Sequence, residues 1–224
     1  MLLMSDLDGF HPSYILNRAF MLCVGWVQPI KIRAIIYLLL GLKTEVTDLT
    51  NYRRNFIPGG SYFFTVALAD RQQSLLTENI KALRHAFYQT KQQKPFYIDA
   101  IVVLPEHLHA VLTLPEGDCD FSNRWRLIKG TFSASFLNTE ARSVSRLSKG
   151  ERGIWQRRFW EHTLRDRVDY QRHVDYIHYN PVKHGYVLRV VDWPYSSFHR
   201  AVNYGVLPKD WAGGDCDDSG VFGE

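Results

Sequence analysis

From residue 61 onward the chain alternates short apolar runs with stretches whose apolar positions recur at helical spacing. Residues 61–69 (SYFFTVALA) are aromatic and β-branched, follow the turn residues Pro58, Gly59 and Gly60, and predict a strand. Residues 77–93 predict an amphipathic helix, with Thr77 as N-cap, Ile80, Leu83, Phe87 and Tyr88 on its apolar face, and Pro95 beyond its end. Residues 96–104 and 107–114 read as two strands joined by the turn Pro105-Glu106, an antiparallel hairpin. A second helix over 121–137 carries Trp125, Ile128, Phe132 and Phe136 on one face. Residues 138–153 are polar and read as a mobile linker, followed by a short strand region over 154–164. Asp166 caps a third helix that should run to Tyr179 and stop at Asn180-Pro181, with Gly185 in the turn beyond. A last helix is expected within 193–204. The order strand, helix, strand, strand, helix, strand, helix points to an α+β fold: one four-stranded antiparallel sheet with packed helices.

Composition changes this picture only where it is uneven. The 224 residues are 46% hydrophobic and 22% charged, which excludes collagen-like, coiled-coil and wholly disordered chains. The net charge of +4 conceals a division of labour: residues 121–200 hold fifteen Lys/Arg and seven Asp/Glu, net +8, and residues 201–224 hold one and five, net −4. Cys23, Cys119 and Cys216 are far apart with no CxxC, which excludes a cysteine zinc site and a disulfide framework and fits the cytoplasm. Residues 19–42 are the most apolar stretch, but Pro29, Lys31 and Arg33 lie at its middle, so no membrane span is expected. Residues 1–45 therefore read as a poorly ordered or partly helical extension, 46–212 as one working domain, and 213–224 as an acidic tail.

Three groups of residues could carry chemistry. His107 and His109 are two apart on a predicted strand, so both imidazoles project to one side, where they could share a divalent metal. Tyr176 and Asn180 are four apart on the third helix and share a face. A tyrosine oxygen can attack phosphorus once a metal or base helps it ionise, and an amide oxygen suits a hard cation. The third group is basic: Arg124, Arg126 and Lys129 on the second helix, Arg157 and Arg158 interleaved with Trp155, Phe159 and Trp160, Lys183 after Asn180, and Arg53 and Arg54 near the domain start. Basic side chains bind phosphates and exposed aromatics stack on unpaired bases.

The segments Val102–His109 (VVLPEHLH), Phe159–Leu164 (FWEHTL) and Tyr176–Gly185 (YIHYNPVKHG), in this order and spacing, resemble the REP-associated tyrosine transposases, a branch of the single-tyrosine HUH endonucleases. The resemblance covers about residues 47–212, including Asp192–Tyr195 (DWPY) and Asp210–Gly213 (DWAG). It implies a ferredoxin-like sheet of the HUH endonuclease type and a divalent cation, Mg²⁺ or Mn²⁺, held by His107 and His109. It implies Tyr176 as nucleophile. Asn180 stands where related transposases carry a glutamine as third ligand. The implied reaction cleaves and rejoins single-stranded DNA at repetitive extragenic palindromic hairpins through a covalent 5′-phosphotyrosine; this subfamily resembles monomers, while related single-tyrosine transposases form dimers that exchange the tyrosine helix, so both states stay open. No nucleotide is needed, in keeping with the absence of GxxxxGK[ST]. Two other readings remain at this level: a non-catalytic hairpin-binding protein on the same fold, and a phosphoesterase that uses water.

Overall fold

The computed structural model describes residues 54–137 and 142–213. The extension 1–45, Arg53, the first part of the expected linker and nearly all of the acidic tail lie outside the described residues. The described residues from Asn55 onward belong to one compact unit.

The elements are β1 (Ser61–Ala67), α1 (Leu75–Glu78), α2 (Ile80–Gln93), β2 (Tyr97–Val103), β3 (His107–Thr113), α3 (Phe121–Ala134), α4 (Val144–Ser148), β4 (Trp160–Thr163), α5 (Arg167–Lys183), a 3₁₀ turn (Val190–Asp192) and α6 (Phe198–Asn203). All strand pairs are antiparallel, in the order β2-β3-β1-β4. This is the expected α+β, ferredoxin-like arrangement, with β1 and β3 at the centre. The turn before β1 needs its glycines. Gly59 has φ +69, and a Cβ on Gly60 would stand 2.9 Å from the Ile57 carbonyl oxygen.

Side chains alternate across the sheet, and its two faces differ. Tyr62, Phe64, Val66, Ile98, Ile101, Leu108, Ala110 and Leu112 are buried in one apolar cluster with Leu83, Phe87, Trp125, Ile128 and Phe132 of α2 and α3. The opposite face carries Phe63, Thr65, His107 and His109, aligned by the register Thr65↔His109 and Ala67↔His107, and α5 packs against it. The outer edge of β2 is closed by residues 195–197: Val103 N–H donates to the Tyr195 carbonyl, and Ser197 N–H to the Ile101 carbonyl.

Several boundaries differ from the expectation. Thr77 does not cap the first long helix; it sits inside α1, donating to the Ser74 carbonyl, and α2 begins after Asn79. Tyr88 is half exposed and lies off the apolar face. Asn180-Pro181 does not stop α5. Proline forfeits one hydrogen bond to the carbonyl four residues back, and here Pro181 is buried in the last turn. The stop comes at Gly185 (φ +71), where the His184, Gly185 and Tyr186 N–H groups return to the Asn180, Val182 and Pro181 carbonyls. The described part of the expected linker holds α4 and is tied down: Arg146 donates to the Arg152 and Trp155 carbonyls, and Arg152 to those of Ser133, Phe136 and Leu137. Of the fourth strand region, Trp160–Thr163 forms the strand paired with β1, and Trp155 adds an isolated bridge to Leu68. The last helix is short because residues 193–197 instead run along β2.

Candidate functional site: a histidine pair facing a helix tyrosine

His107 and His109 open β3 and are fully buried. Each imidazole has both nitrogens placed. His107 Nδ1 lies 2.8 Å from Glu106 Oε1 and His109 Nδ1 lies 2.9 Å from Thr65 Oγ1. The carboxylate of Glu106 only accepts, so His107 carries its proton on Nδ1 and turns the Nε2 lone pair inward. The two Nε2 atoms are 3.1 Å apart. Bonds of about 2.1 Å at right angles to one ion would put two nitrogens about 3.0 Å apart, so the donor pair fits a divalent cation. A carboxylate or hydroxyl behind each ring is the usual support for a metal-binding histidine. Burial works against the Glu106 carboxylate. The hydrogen bond from His107, with Arg71 3.6 Å away, outweighs it and holds the group below the usual carboxylate range.

α5 brings the second half of the site. Asp166 caps it, accepting from the Val168 and Asp169 N–H groups. Two and a half turns on, Tyr176 is 5% exposed, with its ring edge-on to His109 at 5.2 Å and to Phe63 at 6.0 Å. Lys183 places its ammonium 4.9 Å from the Tyr176 ring centroid. His184 stands 5.6 Å from His107, ring to ring. Asn180 is fully buried one turn beyond Tyr176. Tyr179 turns away to line an open cavity with Val190, Lys209 and Trp211.

The basic residues separate into three kinds. Arg124 is a correction: it is fully buried and all five guanidinium N–H donors are used within the fold. They reach Asp118 in bidentate fashion at 2.7 and 3.1 Å, the Pro95 carbonyl and the Asp120 carbonyl. This partner holds Asp118 below its usual range. Arg124 therefore staples α3 to the loop before it and does not face a ligand. Lys129 and Arg157 lie along the segment that leads into β4, with Arg158 next in the chain. Lys129 donates to the Gln156 carbonyl and lies 5.8 Å from the Trp155 ring centroid. Arg157 pairs with Glu151 at 2.7 Å, and Arg158 is exposed. Arg126 is exposed and held by Asn123. Lys183 is exposed beside the tyrosine, on the α5 side, and Arg54 is half buried.

Glu106, Thr65 and Phe63 were not singled out from the sequence. Glu106 had a signal, since it directly precedes the histidine. Thr65 had none, because its role exists only once the β1–β3 register is known.

A histidine pair on a ferredoxin-like sheet, faced by a helix tyrosine, is the arrangement of the single-tyrosine HUH transposases. The family profile described as "Transposase IS200 like" matches residues 58–180. The REP-associated tyrosine transposase of Escherichia coli K12 is 51% identical over 171 residues, spanning 76% of this chain and 96% of that protein. A solved structure of a REP-associated tyrosine transposase bound to a REP hairpin superposes with a TM-score of 0.65 at 50% identity, covering 76% of this chain and 94% of that one. The chain belongs to the IS200-like transposase family, among the REP-associated tyrosine transposases. Among the described residues no helix is long and apolar enough to cross a membrane.

Proposed function

We propose that the protein is a metal-dependent single-strand DNA endonuclease that cleaves and rejoins DNA at repetitive extragenic palindromic hairpins through Tyr176. The observation that carries this reading is the convergence of His107 and His109, Nε2 atoms 3.1 Å apart, with the Tyr176 ring 5.2 Å from His109. The hairpin as substrate is supported by the solved relative, which is described as bound to a REP hairpin. The proposed working domain is 46–212, acting in the cytoplasm as a monomer or as a dimer.

His107 and His109 would hold Mg²⁺ or Mn²⁺, with Asn180 as third ligand. The bound cation would supply charge stabilisation to the scissile phosphate. Tyr176 oxygen attacks phosphorus, the bond from phosphorus to the 3′-oxygen breaks, and the tyrosine proton ends on that oxygen. The 5′-phosphotyrosine keeps the phosphodiester energy, so the reverse step reseals the strand. Lys183 adds positive charge beside the reacting tyrosine. Glu106 and Thr65 hold the histidine rings in place. Arg158, Arg157, Lys129 and Arg126 offer phosphate-binding groups, and Arg53 and Arg54 are proposed as further contacts.

The test is a single-stranded REP hairpin incubated with protein and Mn²⁺ and run on a denaturing gel. The wild type gives a protein–DNA band that survives denaturation. Tyr176→Phe gives none, while its hairpin affinity stays within about twofold. A persisting covalent band in Tyr176→Phe overturns the assignment. A wild type that yields only a salt-sensitive complex favours the non-catalytic binder.

A further inference from the structure

A second cluster of potential metal ligands lies on the same sheet face. His162 projects from β4, opposite Phe63 of β1, and Asp169 and His173 are one turn apart on α5. Their ligand atoms all lie within 4.8 Å of one another. His162 Nε2 is 2.8 Å from Asp169 Oδ2, and His173 Nδ1 is 3.2 Å from Asp169 Oδ1. The two imidazoles stack at 4.7 Å with 14° between planes, and Trp160 stacks on His162 at 6.0 Å and 8°. The site is closed on its inner side by Phe63, 4.8 Å from His173, and remains open outward: the His162 side chain is 26% exposed. Phe63 also stacks on His109 at 5.5 Å, so its ring stands between this cluster and the His107/His109 pair.

The chemistry favours a cation. Burial holds His173 below its ordinary imidazole range, and so neutral and able to donate a lone pair. For Asp169, burial is outweighed by the hydrogen bonds from His162 and the Arg165 backbone, which keep it an anion. The Arg165 guanidinium opposes a cation from 3.2 Å beyond Asp169; that side chain is 75% exposed and can leave into water. His173 Nδ1 donates to the Asp169 backbone carbonyl at 2.7 Å and His162 Nε2 to the Asp169 carboxylate at 2.8 Å, so metal binding through these atoms requires the His173 proton to move to Nε2 and His162 to carry its proton on Nδ1. Bringing the three donors to about 3 Å separations needs under about 2 Å of side-chain movement, within reach of small rotations.

We propose that His162, Asp169 and His173 form a second metal site, specific for a divalent transition ion such as Zn²⁺ or Mn²⁺. Two imidazoles with one carboxylate select such ions over Mg²⁺ or Ca²⁺. The ion would clamp β4 to the first turns of α5, three residues before Tyr176. Its role is to fix the helix that presents the tyrosine, independently of what Tyr176 does.

The experiment uses the metal-free full-length chain in a His107→Ala/His109→Ala background, which removes the first pair. Zn²⁺ is titrated calorimetrically, and thermal unfolding is followed with and without the ion. One ion per chain is expected, with a raised unfolding temperature. Adding His162→Gln/His173→Gln should abolish both effects, and adding Asp169→Asn, which keeps the side-chain shape, should weaken binding at least tenfold. No ion bound in the background protein overturns the proposal, and so does an ion retained in full by Asp169→Asn, even where the double histidine variant fails to fold. Neither result depends on DNA cleavage, so this site can fail while the Tyr176 reading stands, and the reverse.

Discussion

The two faces of the sheet are built from the same two central strands, β1 and β3, yet do opposite things. On the α2/α3 side, Tyr62, Phe64, Leu108, Ala110 and Leu112 meet aromatic and aliphatic partners in one apolar cluster. On the α5 side, Phe63, Thr65, His107 and His109 are equally buried, but polar atoms there are paired to polar atoms at 2.8–3.1 Å. A period of two lets neighbouring residues serve these two environments, so Leu108 stabilises the fold between the two residues proposed as metal ligands. The difference teaches that burial here does not separate core from site; partner chemistry does.

Residues 106–109 allow that comparison to be broken most directly. His107→Ala with His109→Ala should lower hairpin cleavage by about 10³-fold or more, because transition-state charge loses its cation. Glu106→Gln should lower metal affinity by about 10–100-fold, as removal of a supporting carboxylate does. Leu108→Ala should cost about 2–5 kcal/mol of stability through the cavity it leaves, with cleavage per folded molecule unchanged. Cleavage kinetics and denaturant unfolding on the three variants give both readouts. Cleavage by the double histidine variant at wild-type rate in EDTA would sink the metal reading.

The basic residues sharpen the same contrast. Arg124→Ala removes a buried guanidinium and leaves the Pro95 and Asp120 carbonyls without its donors, while Asp118 is partly solvated; it should cost about 1–3 kcal/mol, with the salt dependence of DNA binding unchanged. Arg158→Ala is a surface change, expected within about 0.5 kcal/mol in stability. It should reduce the slope of log affinity against log salt by about 0.7–0.9, one phosphate contact. A salt slope that falls in Arg124→Ala and not in Arg158→Ala would reverse the two assignments.

How much of this was legible follows from the same physics. Strand periodicity and turn residues indicated β1, the β2–β3 hairpin and the α+β order, because apolar alternation is a local signal. The histidine pair and Tyr176 were legible as residue types at fixed spacing. What was hidden depends on tertiary partners. Arg124 reads like Arg126 until Asp118 and the Pro95 carbonyl close around it. Thr65 acquires its role 44 residues from His109 through register alone. Proline's place in the last turn of α5 depends on packing that buries Pro181, which outweighs a local breaker signal.

A pH effect concerns a third kind of buried histidine, packed against Ser197 and Phe198. His178 is 1% exposed, touches Ser197 Oγ through Nε2 at 3.1 Å, and its Nδ1 has no hydrogen-bond partner among the described residues. Burial, with the nearby charges of Arg200 and His199, pushes its pKa down to about 3 from 6.5. Above pH 6.5 the ring is neutral in folded and unfolded chains alike, so it contributes no pH dependence there. Between pH 6.5 and 3 the unfolded chain takes up a proton that the folded chain refuses, and stability falls by about 1.4 kcal/mol per pH unit, reaching about 2 kcal/mol at pH 5. Below pH 3 the loss levels off. His178→Gln should remove this slope from denaturant unfolding measured between pH 7 and 5, whatever it does to stability at pH 7. The His107 and His109 substitutions should leave the His178 contribution in place, and an acid slope unchanged in His178→Gln would show that this ring is not what titrates.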